Sequence, residues 1–159
     1  MLKKSAFYLL VTVFIFAGQF LLSSNLVTGL PPRIEQTTLN GQEPMQSLAK
    51  GPALLYFWAE WCGVCRTMQD NVNAVLQDYP GMTVAVRSDE RQKLSAYLAE
   101  NQLNWPTIND GDGAIGQRYG IRGVPALFFI NKKGDIVFTS IGYTSEWGLR
   151  IRLWLAGLF

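Results

Sequence analysis

The chain contains no histidine. That absence excludes Cys–His nucleophilic catalysis, histidine-ligated metal sites and haem held through a histidine. Cysteine is scarce too: Cys62 and Cys65 are the only two. Most metal sites need two further strong ligands, which leaves Cu(I) on two thiolates as the metal reading. No charge of one sign dominates. Lys+Arg number 14 and Asp+Glu 12, and Lys3 and Lys4 supply the whole excess. The remainder is neutral, so no basic face is implied and nucleic-acid binding has no support. Internal repeats and low-complexity segments are absent. An aromatic content of 13% argues against disorder. The 159 residues suffice for one domain with a sizeable core.

One long apolar run is present, at the start. Ser5 to Leu22 carry no charge, and the uncharged stretch continues to Pro32. Eighteen helical residues span about 27 Å, close to a hydrocarbon core. Lys3 and Lys4 predict an N-terminus inside and the rest outside. The reading is a single-pass anchor in the inner membrane, with residues 5–28 inserted and a linker ending at residue 32. The rival is a cleaved signal peptide, for which the apolar region is long and lacks a good cleavage site. Both place residues 33–159 outside the cytoplasm, where disulfides persist.

The remaining pattern predicts one α/β domain over 33–159. Residues 33–39 read as an edge strand stopped by Asn40-Gly41. Residues 42–50 read as irregular or a short helix, ended by Gly51-Pro52. Residues 53–59 (ALLYFWA) form a continuous apolar run, as expected of a central strand buried on both faces. Residues 64–79 predict a helix, with Val64, Met68, Val72, Val75 and Tyr79 on one face. Strands follow at 83–87, 105–108, 126–130 and 135–141, with a turn at Asn131-Lys132-Lys133-Gly134. Helices are expected over 91–101, 114–119 and 145–156, the last capped by Ser145 with Trp147, Ile151, Trp154 and Leu155 on its apolar face. This order implies a mixed sheet with helices on both faces.

Cys62 and Cys65 sit between a buried strand and a helix start. A thiol there becomes a thiolate readily, with a pKa lowered to roughly 3.5–7.5. Cys62 is then the attacking thiolate. Cys65, one turn further in, is less exposed and resolves the mixed disulfide. Gly63 lets the backbone turn and a substrate chain approach. Rival readings are a structural disulfide, a Cu(I) site or an inactive binding domain. A bridge closing so short a loop constrains little of the unfolded chain. Pro125 on pattern alone is simple strand-start punctuation.

FWAEWCG (57–63) and YGIRGVP (119–125) resemble thioredoxin, in the right order, as do NKKGDIV (131–137) and Gly142 after it. The resemblance implies a thioredoxin fold, with a central mixed sheet and a β-α insertion at 91–109 between the CxxC helix and the cis-proline strand. It implies Cys62 as nucleophile, Cys65 as resolving cysteine and a redox-active disulfide in place of any cofactor. It also implies a cis bond before Pro125 and substrate pairing at Val124, with Trp61, Gly63 and Val64 completing the substrate surface. Anchor, export and insertion resemble the TlpA/ResA/DsbE group, and most the small ScsD type named for suppression of copper sensitivity. That group implies exported cysteine-containing proteins as substrates and a DsbD-type membrane electron donor. An oxidase, isomerase, thiol peroxidase or copper-delivery protein remains open, although Ala59 stands where a peroxidase would have threonine.

Departures from thioredoxin are informative. Tyr56 replaces a buried aspartate, and Val86 aligns with its lysine neighbour. A phenol has an ordinary pKa near 10, so Tyr56 is a poor base. Glu60 is the remaining carboxylate near the pair, read more as a solvated surface residue than as a base. Met68 stands where a ResA-like protein has glutamate, and Asp70 where thioredoxin has its helix-kinking proline. Trp58 and Trp61 read as packing under the active-site loop.

Overall fold

The structure, a computed structural model, describes residues 26–44, 48 and 51–159. Of the expected anchor at 5–28, residues 5–25 lie outside the described residues, whereas Leu26 is buried in the domain core and Val27 N–H donates to Tyr119 O at 3.3 Å, so residues 26–28 belong to the domain and not to an inserted segment. Among the described residues, no helix is long and apolar enough to cross a membrane.

The ALLYFW run forms strand β1 (Ala53–Trp58), buried at every position. Its side chains alternate between faces, as strand geometry requires. Leu54, Tyr56 and Trp58 enter one core, and Leu55 and Phe57 the other. β1 lies at the centre of a five-stranded sheet. It pairs in parallel with β2 (Gly81–Val86) and antiparallel with β4 (Ala126–Ile130). Beyond these lie β3 (Thr107–Asp110), parallel to β2, and β5 (Ile136–Ile141), antiparallel to β4. The order is β3-β2-β1-β4-β5. The mixed sheet and its late hairpin are as the sequence predicts.

Among the described residues, five helices with assigned bounds connect or follow these strands. They are α1 (Gly63–Thr67), α2 (Gln69–Asp78), α3 (Arg91–Glu100), α4 (Ala114–Arg118) and α5 (Glu146–Ala156). Val72 and Val75 of α2, Leu94 and Leu98 of α3, and Leu149 and Leu153 of α5 fill one core. Ile115 of α4 and Tyr119 after it fill the other, with Ile34 and Leu48. The expected insertion is present as α3 and β3, which sits at a sheet edge.

Three further expectations are corrected. Residues 33–39 are not a strand. Thr38 turns the chain: its hydroxyl accepts from Gln42 N–H at 2.8 Å, and Gly41 N–H donates to its carbonyl at 3.0 Å. Only Leu39 N–H reaches the sheet, donating to Thr107 O at 2.7 Å. The predicted helix over 64–79 is broken at Met68, without proline. The Thr67 hydroxyl donates to Val64 O at 2.8 Å, the carbonyl that Met68 N–H would use in a regular helix. Met68 N–H turns instead to Cys65 O at 3.1 Å. The third correction concerns α5. Ser145 caps it, accepting from Gly148 N–H at 3.3 Å, but Trp147, Ile151 and Trp154 point outward.

Asp110, which sequence reasoning missed, ties β3 to α4. It is buried, and its carboxylate accepts from Ile115 N–H at 2.9 Å and Gly116 N–H at 2.8 Å. These are otherwise unpaired donors of a helix start. The signal was legible as an acidic residue at a strand end shortly before an apolar helix. Asp110→Ala orphans both buried donors. It should lower unfolding free energy by about 2 kcal/mol in urea titration, with faster amide exchange at Ile115 and Gly116.

Candidate active site

β1 ends at Trp58, and the chain turns through Ala59–Trp61 into α1. Cys62 is the residue that caps α1, with extended backbone at φ −83° and ψ 107°. Its sulfur accepts from Cys65 N–H at 3.1 Å. An amide proton pointed at sulfur favours negative charge there. Cys62 and Cys65 are bonded to each other as a disulfide. Cys65 is fully buried, and Cys62 is 7% exposed. The order of exposure is as expected, although Cys62 is more enclosed than a partly open thiol. These two sulfurs are the only thiolate ligands a metal would find. Among the described residues, no group of three or more His, Cys, Asp or Glu is placed to hold one.

The tertiary fold brings a second segment to the pair. The Val124–Pro125 bond is cis, and Val124 O lies 3.6 Å from Cys62 Sγ. A disulfide sulfur has no proton to donate, so the distance records proximity; a reduced Cys62 could donate there. Val124 N–H has no partner among the described residues. Pro125 O accepts from Gly142 N–H at 2.9 Å. Gly142 sits at φ +88°, where a side chain would be strained. This glycine therefore helps fix the proline loop beside the sulfurs. A second cis bond, Gly51–Pro52, lies at the start of β1.

Trp61 and Val64 are exposed beside the pair. The Trp61 indole N–H donates to Arg87 O at 3.0 Å, and Arg87 N–H to Asp110 O at 2.8 Å. Arg87 has φ +48°, uncommon for a residue with a side chain. Trp61 is thus oriented from the end of β2 rather than simply packed under the loop. It lines a groove of about 400 Å³ together with Val124, Arg87, Asp112, Gln117 and Arg122. Arg87 and Arg122 were not singled out from sequence: Arg87 lies outside the matching blocks, and Arg122 lies within YGIRGVP, where only the proline and its neighbour drew a role. Gly63 meets nothing within 4 Å of where a Cβ would stand and has no positive φ. The turn does not require glycine; the open space beside it remains free for an approaching chain.

The two tuning residues read differently in three dimensions. Tyr56 is buried in the same core as Cys65, edge-on to Trp105 at 6.0 Å. Its hydroxyl has no hydrogen-bond partner among the described residues. Burial, followed by the neighbouring Tyr97, pushes its pKa well above the ordinary phenol value. Val86 is on the opposite face of the sheet, in the other core. The β2 residues on the same face as Tyr56 and Trp58 are Thr83, which accepts from the Trp58 indole N–H at 3.1 Å, and Ala85. A one-residue shift along a strand reverses the face, so Val86 and Ala85 enter opposite cores. Glu60 is not freely solvated. Its Oε1 accepts from Asp89 N–H at 2.9 Å, and its Oε2 is enclosed without a partner among the described residues. The carboxylate ties the β1–α1 turn to the loop after β2.

Residues 30–139 match the AhpC/TSA family. The chain belongs to that family. It is 35% identical over 137 residues to a thioredoxin-like protein of Haemophilus influenzae, covering 82% of this chain and 81% of that one. It is 30% identical over 153 residues to the thiol:disulfide interchange protein DsbE of Pseudomonas fluorescens biotype C, covering 92% and 86%. The crystal structure of a putative DsbE from Chlorobium tepidum superposes with a TM-score of 0.70 at 24% identity, covering 82% and 98%. The fold is the thioredoxin fold. This AhpC/TSA-family chain is a thiol:disulfide oxidoreductase of the DsbE type with a Cys62–Cys65 pair.

Tyr56→Phe tests whether the phenol takes part in proton transfer. A buried unpaired hydroxyl is a net cost, so the variant should gain about 1 kcal/mol of stability. Its rate of disulfide exchange should stay within roughly twofold of wild type, because a phenol held neutral supplies no base. A tenfold fall in rate without loss of folding would contradict this.

Proposed function

We propose that this protein is a membrane-anchored, extracytoplasmic reductant of protein disulfides. The observation that carries the reading is the Cys62 sulfur, 3.1 Å from the Cys65 amide and 3.6 Å from Val124 O. In the reduced protein, Cys62 thiolate attacks a substrate disulfide. A bond forms between Cys62 Sγ and one substrate sulfur, and the other substrate sulfur leaves as a thiolate. Cys65 is fully buried with its sulfur against Cys62 Sγ, so it attacks there. The Cys62–Cys65 disulfide forms, the second substrate sulfur leaves, and two electrons have passed to the substrate.

The unpaired backbone at Val124 supports its assignment as the docking strand for an extended cysteine-containing segment. Trp61 and Val64 flank that track, and Gly63 leaves room above it. Pro125 would hold Val124 toward Cys62. The proposed substrates are exported proteins, including those whose cysteines copper or peroxide oxidises, as for the ScsD type. A dithiol donor in the membrane, of the DsbD type, would return the two electrons by the same exchange in reverse. The apolar segment at 5–22 with Lys3 and Lys4 before it supports an N-in anchor, with the domain at 33–159 outside.

The decisive test is trapping in cells. Cys65→Ser removes the resolving sulfur and should accumulate mixed disulfides at Cys62, visible as reductant-sensitive bands. Cys62→Ser should trap none. A measured reduction potential of the full chain then sets the direction: a value well below that of its substrates supports a reductant, and one near the strong oxidants overturns that part. Stoichiometric Cu(I) binding with no trapped partner would favour copper delivery instead.

A further inference from the structure

The groove beside the pair carries charge that sulfur exchange itself does not use. Arg87 and Arg122 line it, together with Trp61 and Val124. Both arginines are exposed, and neither forms an ion pair among the described residues. Other arginines are occupied by the fold. Arg91 donates to Thr38 O and Leu39 O, Arg118 to Arg33 O and Arg152 to Gly148 O, and Arg150 is paired with Asp78 and Glu146.

Arg87 is also held in place. Its N–H donates to Asp110 O, and its carbonyl accepts from the Trp61 indole. Its side chain lies against Gly113, which has φ +75°. A Cβ at Gly113 would stand 3.1 Å from Arg87 Nε and 3.2 Å from its Cγ. The missing side chain therefore lets the guanidinium lie along the groove wall. Arg122 is two residues from Val124, so its Cα stands within about 7 Å of that residue's Cα. The groove lining has one acid, Asp112, whose Oδ1 already accepts from Ala114 N–H at 3.0 Å. Glu60 and Asp89 line a separate hollow with Lys93. The groove thus has an excess of positive charge in a chain that is neutral overall beyond Lys4.

We infer that this groove selects protein segments with an acidic side chain close to the exchanging cysteine, whose carboxylate Arg87 and Arg122 receive. The inference rests on the reading of Val124 as the docking strand. A guanidinium offers N–H donors in one plane and meets a carboxylate with two of them. In an extended chain, alternate side chains point the same way about 7 Å apart. A segment seated on Val124 with its cysteine at Cys62 therefore carries its neighbouring side chains into reach of the groove. The arginines take no part in breaking or forming the sulfur bonds. They determine specificity: opposite charge speeds the encounter and holds the segment in register, an effect that salt weakens.

The test uses the reduced full chain in a neutral detergent. Its probes are short peptides whose single cysteine is a mixed disulfide with mercaptoethanol. The peptides differ only in carrying Glu, Gln or Lys two positions before or after that cysteine. Cys62 thiolate attacks the peptide sulfur and mercaptoethanol leaves as its thiolate. Cys65 then releases the peptide thiol, and the chain ends as the Cys62–Cys65 disulfide. The readout is the ratio of second-order rate constants for Glu and Gln peptides, so a general loss of activity cancels. On at least one side of the cysteine, the Glu peptide should react roughly fivefold faster than the Gln peptide, and the Lys peptide slowest. The ratio should fall to near one in the Arg87→Gln/Arg122→Gln variant and in high salt, and be partly restored by Arg87→Lys/Arg122→Lys. A ratio near one in wild type, or an unchanged ratio in the glutamine variant, overturns the inference and leaves docking at Val124 standing. Glutathione disulfide carries carboxylates without an extended chain. If it reacts as fast as the Glu peptide and loses as much in the variant, the arginines serve a small anionic thiol and the protein segment is overturned as occupant. If wild type exchanges the Glu and Gln peptides no faster than hydroxyethyl disulfide, docking at Val124 fails, and the inference with it.

Discussion

Everything at the site depends on β1 being buried on both faces at the centre of the sheet. A strand with no exposed face has no freedom to slide or tilt without opening one of two cores. Its end is therefore a fixed point. Cys62 is placed four residues beyond that end, as the residue that starts α1. The neighbouring strands, β2 and β4, are held by the same ladder. The loops that follow or precede them, carrying Arg87 and Val124, consequently converge on Cys62 from opposite sides.

Around this point the polar groups form a connected chain. Asp110 holds the start of α4 and, through its carbonyl, Arg87; Arg87 holds the Trp61 indole. Glu60 binds the turn to the loop after β2 from another side. Gly142 holds Pro125. None of these groups supplies the sulfur chemistry. They shape the surface beside the pair: a groove lined by Trp61 and Val124, with Val124 O 3.6 Å from Cys62 Sγ. Beneath it lies an aromatic layer of Tyr56, Trp58 and Trp105, without a carboxylate to take a proton.

Much of this was legible in the residues. The unbroken apolar run predicted a doubly buried strand, and the CxxC pair after it predicted the redox site. The YGIRGVP block predicted the proline loop, and the hairpin followed from its Asn-Lys-Lys-Gly turn. What failed has particular causes. Residues 33–39 have strand-like composition, but Thr38 satisfies its neighbours within a turn, so no ladder forms. The helix over 64–79 has an unbroken apolar face. Periodicity is blind to the Thr67 hydroxyl that intercepts one carbonyl. On α5, tryptophan and isoleucine spacing identified an apolar face, but two such faces exist and composition alone cannot say which one the sheet covers.

The sequence by itself determined the kind of chemistry and the class of fold. Both follow from local facts: which residues carry sulfur, and how apolar positions repeat along the chain. Only the tertiary structure decided what stands beside what. Cys62 and Val124 are 62 positions apart and meet because β1 and β4 are antiparallel neighbours. Tyr56 and Val86 look like partners in an alignment and are separated by the sheet itself. The physical reason is the same in both cases. Side-chain contacts across a sheet depend on strand order and register, which arise from the packing of the whole core rather than from any one segment.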